Sequence, residues 1–180
     1  MNVIGINGSA RKDGNTAILI HKVFEALNQA GIETELIQLA DHEIQPCRGC
    51  FACKGQDNCA FKNDGFATIF SQLVEADGLL LGSPVYSADV SAKMKAFLER
   101  GGVVAATNPG LLRHKVGASV AAVDTMNHFM LNKEMVVVGS TYWNMVYGKN
   151  TGEVLNDEEG MANMRNLGEN MAVILKMIKK

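Results

Sequence analysis

The stretch that decides the reading is GINGSARKDGNT, residues 5–16, set between an apolar start and a helical pattern. Three glycines, Ser9, Asn15 and Thr16 fall within these twelve residues. Glycine lets the backbone turn its N–H groups inward, while hydroxyls and an amide add further donors. A helix that begins where such a loop ends aims its free N–H groups and the positive end of its dipole at one point. The stretch therefore reads as a cradle for an anion, a phosphate first of all. It is not the ATP-type P-loop, which needs Lys directly after the second glycine of its motif; here Asn15 follows Gly14. It also lacks the dinucleotide GxGxxG spacing. The competing reading is a plain glycine-rich strand-to-helix turn.

Outward from the cradle, apolar segments alternate in type. Residues 2–7 read as a short buried strand. Ile20, Val23, Phe24 and Leu27 recur at helical spacing until Gly31 closes the helix. Residues 33–39 read as a second strand, and 40–64 as an irregular loop holding all four cysteines. Phe66, Ile69, Phe70, Leu73 and Val74 give a helical stripe. GLLLG at 78–82 reads as a strand covered on both faces. SPVYSADV follows as a loop, and the next helix is expected to end near Arg100. Residues 115–123 and 135–139 read as strands four and five, and a long terminal helix starts after Asp157, Glu158 and Glu159. Strands alternating with helices predict an α/β protein with a doubly wound parallel sheet. The five-stranded order 2-1-3-4-5 puts the ligand crevice between strands one and three, where GSARKDGNT and SPVYSADV meet. Pro84 and Tyr86 suit a flat heterocycle, and a phosphate cradle facing such a loop points to FMN.

With 180 residues, 47% of them apolar, and a net charge of −2, the chain suits one domain, residues 1–180, with a sizeable core. No basic stripe suggests nucleic acid, and no apolar run reaches the ~18 residues of a membrane span. MNVIGING has no signal-peptide pattern, so a cytoplasmic, reducing setting is expected, where disulfides are disfavoured. The ten methionines read as core filling. Lys95, Glu99 and Arg100 read as a solvated helix face, and Asp124 with His128 as an unsupported acid–base pair.

Cys47, Cys50, Cys53 and Cys59 form C-x2-C-x2-C-x5-C. Three thiols at this spacing can wrap one face of a compact inorganic core, with the fourth arriving after a longer loop. The run is near the bacterial ferredoxin C-x2-C-x2-C-x3-C-P, with a longer last gap and Ala60 in place of proline. Zinc, which usually takes two separated CxxC knuckles, and four redox-active thiols without metal remain the other readings. The loop follows strand two at the cradle's end of the sheet, so the thiols are expected within reach of the flavin.

GSARKDGNT, the four-cysteine loop, GSPVYSADVSAKMKAFLER and the closing YWN with DEEG resemble the NADPH-dependent FMN reductase family, and within it the iron–sulfur flavoproteins. The resemblance spans nearly the whole chain. It implies a flavodoxin-like fold, bound FMN and a homodimer or homotetramer. It also implies that Ser9, Arg11, Asn15 and Thr16 hold the FMN phosphate. Pro84, Val85, Tyr86 and Ser87 would line the isoalloxazine, and Cys47, Cys50, Cys53 and Cys59 would carry a [4Fe–4S] cluster. NAD(P)H or ferredoxin would be the electron donor and a small molecule the acceptor. A non-catalytic electron carrier and a thiol-based redox sensor are the alternatives; the near-neutral charge weighs against the carrier. Read from the residues and not from the resemblance, Trp143 and Tyr142 are candidates to cover a flavin in a partner subunit. The chain departs from the family where residues 124–133, DTMNHFMLNK, replace a longer glycine-containing stretch after strand four. A crossover needs about ten to twelve residues, so this one reads as tight or as lacking a segment, and Asp124 is not carried over.

Overall fold

Val3, Ile4 and Ile6 have apolar side chains on both faces of one strand, which forces that strand into the middle of the molecule. The structure, a computed structural model, describes residues 1–179 and shows that outcome. Five parallel strands run in the order β2-β1-β3-β4-β5. They are β1 (Asn2–Asn7), β2 (Glu33–Gln38), β3 (Gly78–Ser83), β4 (Val116–Ala121) and β5 (Val136–Val137). All six residues of β3 are buried, as its unbroken apolar run predicts. The strand order reverses between β1 and β3, so the crevice lies beyond their carboxyl ends.

Two helix layers cover the sheet. On one face α1 (Asn15–Gln29) and α5 (Glu158–Ile178) pack over Val3, Leu80, Ala118 and Val120. On the other, α2 (Phe66–Glu75), α3 (Ala92–Thr107) and α4 (Val123–Leu131) enclose Ile4, Ile6, Leu79 and Leu81. Six of the methionines (94, 126, 130, 135, 164 and 171) are buried, consistent with core filling. No helix among the described residues is long and apolar enough to cross a membrane.

The contact between α5 and α1 rests on Gly168. A Cβ placed there would lie 2.5 Å from the Val23 carbonyl oxygen and 2.8 Å from Ala26 Cβ. Alanine is the better helix former by about 1 kcal/mol, yet the obstructing atom is backbone and cannot rotate away. Gly168→Ala is therefore expected to destabilise by about 1–3 kcal/mol. A lower urea midpoint at unchanged slope would show it; a raised midpoint would refute it.

Three elements differ from the sequence expectation. Helix α3 continues past Arg100 through Gly101 and Gly102 to Thr107. A Cβ at Gly101 would stand 3.1 Å from the Phe70 ring, so the glycine serves close packing against α2 and not termination. Strand β5 has only two paired residues, although Val138 N–H still donates to Gly117 O. The short crossover closes because α4 starts two residues after β4, through a turn in which Ala121 takes a φ of 75°. Its nine residues fit the available chain, and Met126, Phe129 and Met130 bury its inner face.

Candidate functional site: a cavity at the strand-order switch and a thiol-lined cavity on α3

The first cavity opens where the loops after β1 and β3 converge. Ser9, Arg11, Gly14, Asn15, Thr16 and Leu19 line one side, Pro84, Val85 and Tyr86 another, and Ala121 with Met145–Lys149 a third. Its volume is about 530 Å3. Ligand pockets commonly run from about 300 to 1,000 Å3, so a molecule of flavin-nucleotide size fits.

The cradle is built by local hydrogen bonds. Asn7 Oδ1 accepts from Ser9 N–H at 2.9 Å, and Ser9 Oγ accepts from Arg11 N–H at 3.1 Å. Ser91, the N-cap of α3, donates from Oγ to Gly8 O at 2.6 Å and ties the two loops together. Gly14 caps α1 with extended backbone, and among the described residues no side chain caps that helix and no acid lies in its first turn. The first-turn N–H groups therefore remain available to an anion, and the dipole favours one. Arg11 and Lys149 add positive charge at the rim, Arg11 Nη1 donating to Lys149 O at 3.5 Å.

Asn15 does something the sequence did not suggest. Its side-chain NH2 donates to Gly148 O and Asn150 O, both at 3.0 Å, and its Oδ1 accepts from Gly152 N–H at 2.9 Å. The amide is fully engaged in fastening the 145–152 strap over the cavity, so what Asn15 offers an anion is its backbone N–H. Glu153 braces the same strap. The Asn150 backbone N–H, with the Asn150 amide and the Lys149 N–H, holds its carboxyl below the ordinary glutamate value.

Tyr86 and Asp89 pair as a small antiparallel bridge, with Ser87 (φ 48°) and Ala88 (φ 64°) at its tip in the left-handed region. Pro84, Val85 and Tyr86 reach the cavity; Ser87 lies at the tip, apart from the lining. The Thr125 hydroxyl donates to Asp89 at 2.6 Å and keeps that carboxyl low, linking this loop to α4. Beside the first cavity a groove shares Val85 and Met145 and continues over Ala88, Asp124 and Trp143. Trp143 and Tyr142 stack with centroids 5.6 Å apart and are 67% and 63% exposed; Tyr147 is 79% exposed. Asp124 and His128 are both exposed on α4, and no hydrogen bond or ion pair joins them among the described residues.

All four cysteines line a second, separate and much smaller cavity of about 30 Å3, with Phe51, Phe61, Val103 and Val104 as apolar walls. All are free thiols: Cys53 is buried, Cys47 and Cys59 are half-buried and Cys50 is exposed. Among the described residues no three His, Cys, Asp or Glu side chains are arranged to hold a metal ion. The chemistry of the lining, four thiols with apolar walls, matches the donor types of an iron–sulfur core.

The cavity's position corrects the sequence expectation. The cysteine loop does not stay at the cradle; it doubles back along α3, whose Arg100, Val103 and Val104 form the cavity floor. Ser91 stands at the cradle end of α3, so at 1.5 Å per residue the floor lies about 14–20 Å along the helix axis.

Arg100 is the second correction. It is not on a solvated face but only 3% exposed. Its guanidinium donates to Asp64 Oδ2 at 2.5 Å, Phe61 O at 2.9 Å and Gln45 O at 3.3 Å, and lies 4.2 Å over the Phe66 ring. Burial alone would raise the Asp64 carboxyl, but the Gln45 and Phe66 N–H groups and Arg100 outweigh it and hold the pKa below the ordinary value. One side chain of α3 thus closes both ends of the cysteine loop.

Comparison with known proteins agrees with this geometry. The family model for NADPH-dependent FMN reductase matches residues 1–152. An iron–sulfur flavoprotein of Methanocaldococcus jannaschii is 39% identical over 100% of both chains. That alignment runs to 196 positions against the chain's 180 residues, so the relative carries insertions. An iron–sulfur flavoprotein of Methanosarcina thermophila is 28% identical, over 100% of this chain and 98% of its own. Among solved structures, a flavodoxin from the domain Archaea superposes with a TM-score of 0.61 at 15% identity, covering 98% of this chain and 99% of its own, which supports the fold. Sheet order, a cavity at the switch point and full-length similarity lead to one placement: the chain belongs to the NADPH-dependent FMN reductase family.

Proposed function

We propose that this protein is an FMN-dependent oxidoreductase of the iron–sulfur flavoprotein type. It moves electrons between a reduced donor, NAD(P)H or ferredoxin, and a flavin, quinone or other small acceptor. The observation that carries the reading is the single cavity in which an uncapped helix N-terminus and the flat Pro84–Tyr86 wall face each other. FMN, when bound, supplies a centre that takes up a hydride or electrons and gives them up again.

The chain's own groups provide binding and placement. Ser9, Thr16, the backbone N–H groups of α1 and the Arg11 cation hold the phosphate. Pro84, Val85 and Tyr86 support the ring, and the strap fastened by Asn15 shields it. The groove continuing past Val85 to Trp143 is the approach for the donor or acceptor. No side chain is assigned as an obligatory acid or base. The exposed Tyr86, Trp143 and Tyr147 around the mouth support a second copy of the chain covering it, in a homodimer or homotetramer. Cys47, Cys50, Cys53 and Cys59 are the ligands proposed for a [4Fe–4S] cluster, which supplies single-electron exchange.

The test is anaerobic purification with an absorption spectrum, iron and sulfide assays, and turnover with NADPH, NADH and reduced ferredoxin. About one flavin and about four iron per chain are expected. Cys50→Ser and Cys53→Ser should lose the iron and keep the flavin. Protein free of flavin would overturn the main reading; flavin without iron or sulfide would remove the cluster and leave a flavin reductase.

A further inference from the structure

Helix α3 meets the cysteine loop at side chains spaced seven apart. Lys93 donates to His42 O at 2.7 Å, Arg100 holds Gln45, Phe61 and Asp64, and Thr107 with Asn108 holds the middle of the loop. Asn108 Nδ2 donates to Cys53 O at 2.9 Å and its Oδ1 accepts from Gly55 N–H at 2.8 Å, so the backbone on both sides of Lys54 is fixed. That clamp brings Cys53 Sγ to 3.4 Å from Thr107 Oγ1. Cys53 is the most buried of the four cysteines, at 6% exposure.

The Thr107 hydroxyl has one proton and several possible acceptors. Val103 O lies at 2.9 Å and Val104 O at 3.1 Å, the back-bond expected of threonine in a helix. Either atom can donate across the Cys53–Thr107 contact; in the thiol form the S–H is free to donate to Oγ1 while the hydroxyl proton goes to a helix carbonyl. A metal-bound thiolate has no proton, so the bond survives only when the hydroxyl turns its own proton to sulfur.

We propose that Thr107 is a positioning residue of the cysteine centre, whose hydroxyl holds Cys53 Sγ in the cavity wall and, in the loaded protein, favours the reduced state. The inference rests on the cluster assignment made above. A donor to a ligand sulfur stabilises the form with more negative charge, which raises the reduction potential. Giving up the carbonyl bond offsets part of the gain, so the effect is that of one modest hydrogen bond.

The experiment compares Thr107→Val and Thr107→Ser with the parent protein by mediated redox titration under EPR, with iron, sulfide and FMN assayed on the same samples. At a fixed ambient potential, Thr107→Val should lower the ratio of reduced to oxidised centre by about three- to tenfold. Tenfold corresponds to about 59 mV for a one-electron couple. Thr107→Ser, which keeps the donor, should titrate with the parent. Iron lost from the valine variant but kept in the serine variant also supports the assignment, through its holding role. Equal potentials for valine variant and parent at full iron would overturn it, as would serine and valine variants shifting together. A parent protein without iron or sulfide would instead overturn the cluster assignment, and this inference with it.

Discussion

Replacing Arg100 with methionine is expected to destabilise the protein by about 3–5 kcal/mol, the usual result of stranding one partner of a buried ion pair. Methionine keeps most of the length and apolar contact of the side chain, so the loss isolates the guanidinium. Asp64 would remain, its side chain 1% accessible, with only the Gln45 and Phe66 N–H groups for company. Phe61 O and Gln45 O would each lose their guanidinium donor. Arg100→Lys should recover only part of the stability, because an ammonium cannot serve three separated acceptors as a planar fork does.

The pH dependence supplies a second readout. The folded Asp64 pKa is depressed, so its contribution is fully present above the unfolded carboxylate value and disappears as pH falls through the lower folded value. Denaturant melts of the parent should lose stability over that acid window. Arg100→Met should flatten the acid limb while lowering the plateau near neutral pH. An unchanged acid limb together with a change of less than about 1 kcal/mol would show that the pair is solvated and not structural.

Gly14→Val is the second large effect, and it falls on the cradle. A Cβ at Gly14 would stand 3.0 Å from Arg11 Cβ and 3.1 Å from Arg11 O, the carbonyl that accepts from Gly14 N–H. Valine adds two methyl groups beyond that point and must push the loop open, turning N–H groups away from the phosphate. Losing one or two charge-assisted hydrogen bonds at about 1.5–3 kcal/mol each predicts an FMN affinity weakened by about tenfold or more. Fluorescence titration of the apoprotein measures it. Because the cysteine cavity lies on α3, iron content should be unchanged by Gly14→Val. Parental FMN affinity in the variant would show that the phosphate sits elsewhere.

These two substitutions mark the limits of what could be read from the chain itself. Gly14 was visible as part of a loop whose chemistry is confined to twelve consecutive residues, and the structure places it where local reasoning did. Arg100 looked like one of several charges on a helix. Its partners Gln45, Phe61 and Asp64 lie 36 to 55 positions away, in a loop without periodicity, so nothing in the sequence announced the burial. The same holds for Asn15. Its place in the cradle stretch suggested a phosphate contact, yet its amide is occupied by a strap more than 130 residues further on. Met145–Lys149 line the cavity for the same reason; their sole signal was a loop rich in glycine and asparagine before the last helix.

What the sequence determined is whatever depends on near neighbours. The periodic patterns, the buried run of β3 and the glycine-rich turn after β1 settle that strands alternate with helices and that β1 and β3 are central, because both faces of such strands have to be covered; the end of α3 and the shortness of β5 did not follow from them. The spacing of Cys47, Cys50, Cys53 and Cys59 likewise keeps the four thiols in one short loop, and they line one cavity. Tertiary structure alone decided where that centre sits. The buried Arg100–Asp64 pair and the Asn108 clamp draw the loop along α3 and away from the cradle, because groups desolvated there must find partners and α3 offers them. The stretch at residues 5–16 therefore defines a flavin-sized site at the switch point, and the packing of α3 sets the distance at which the thiols face it.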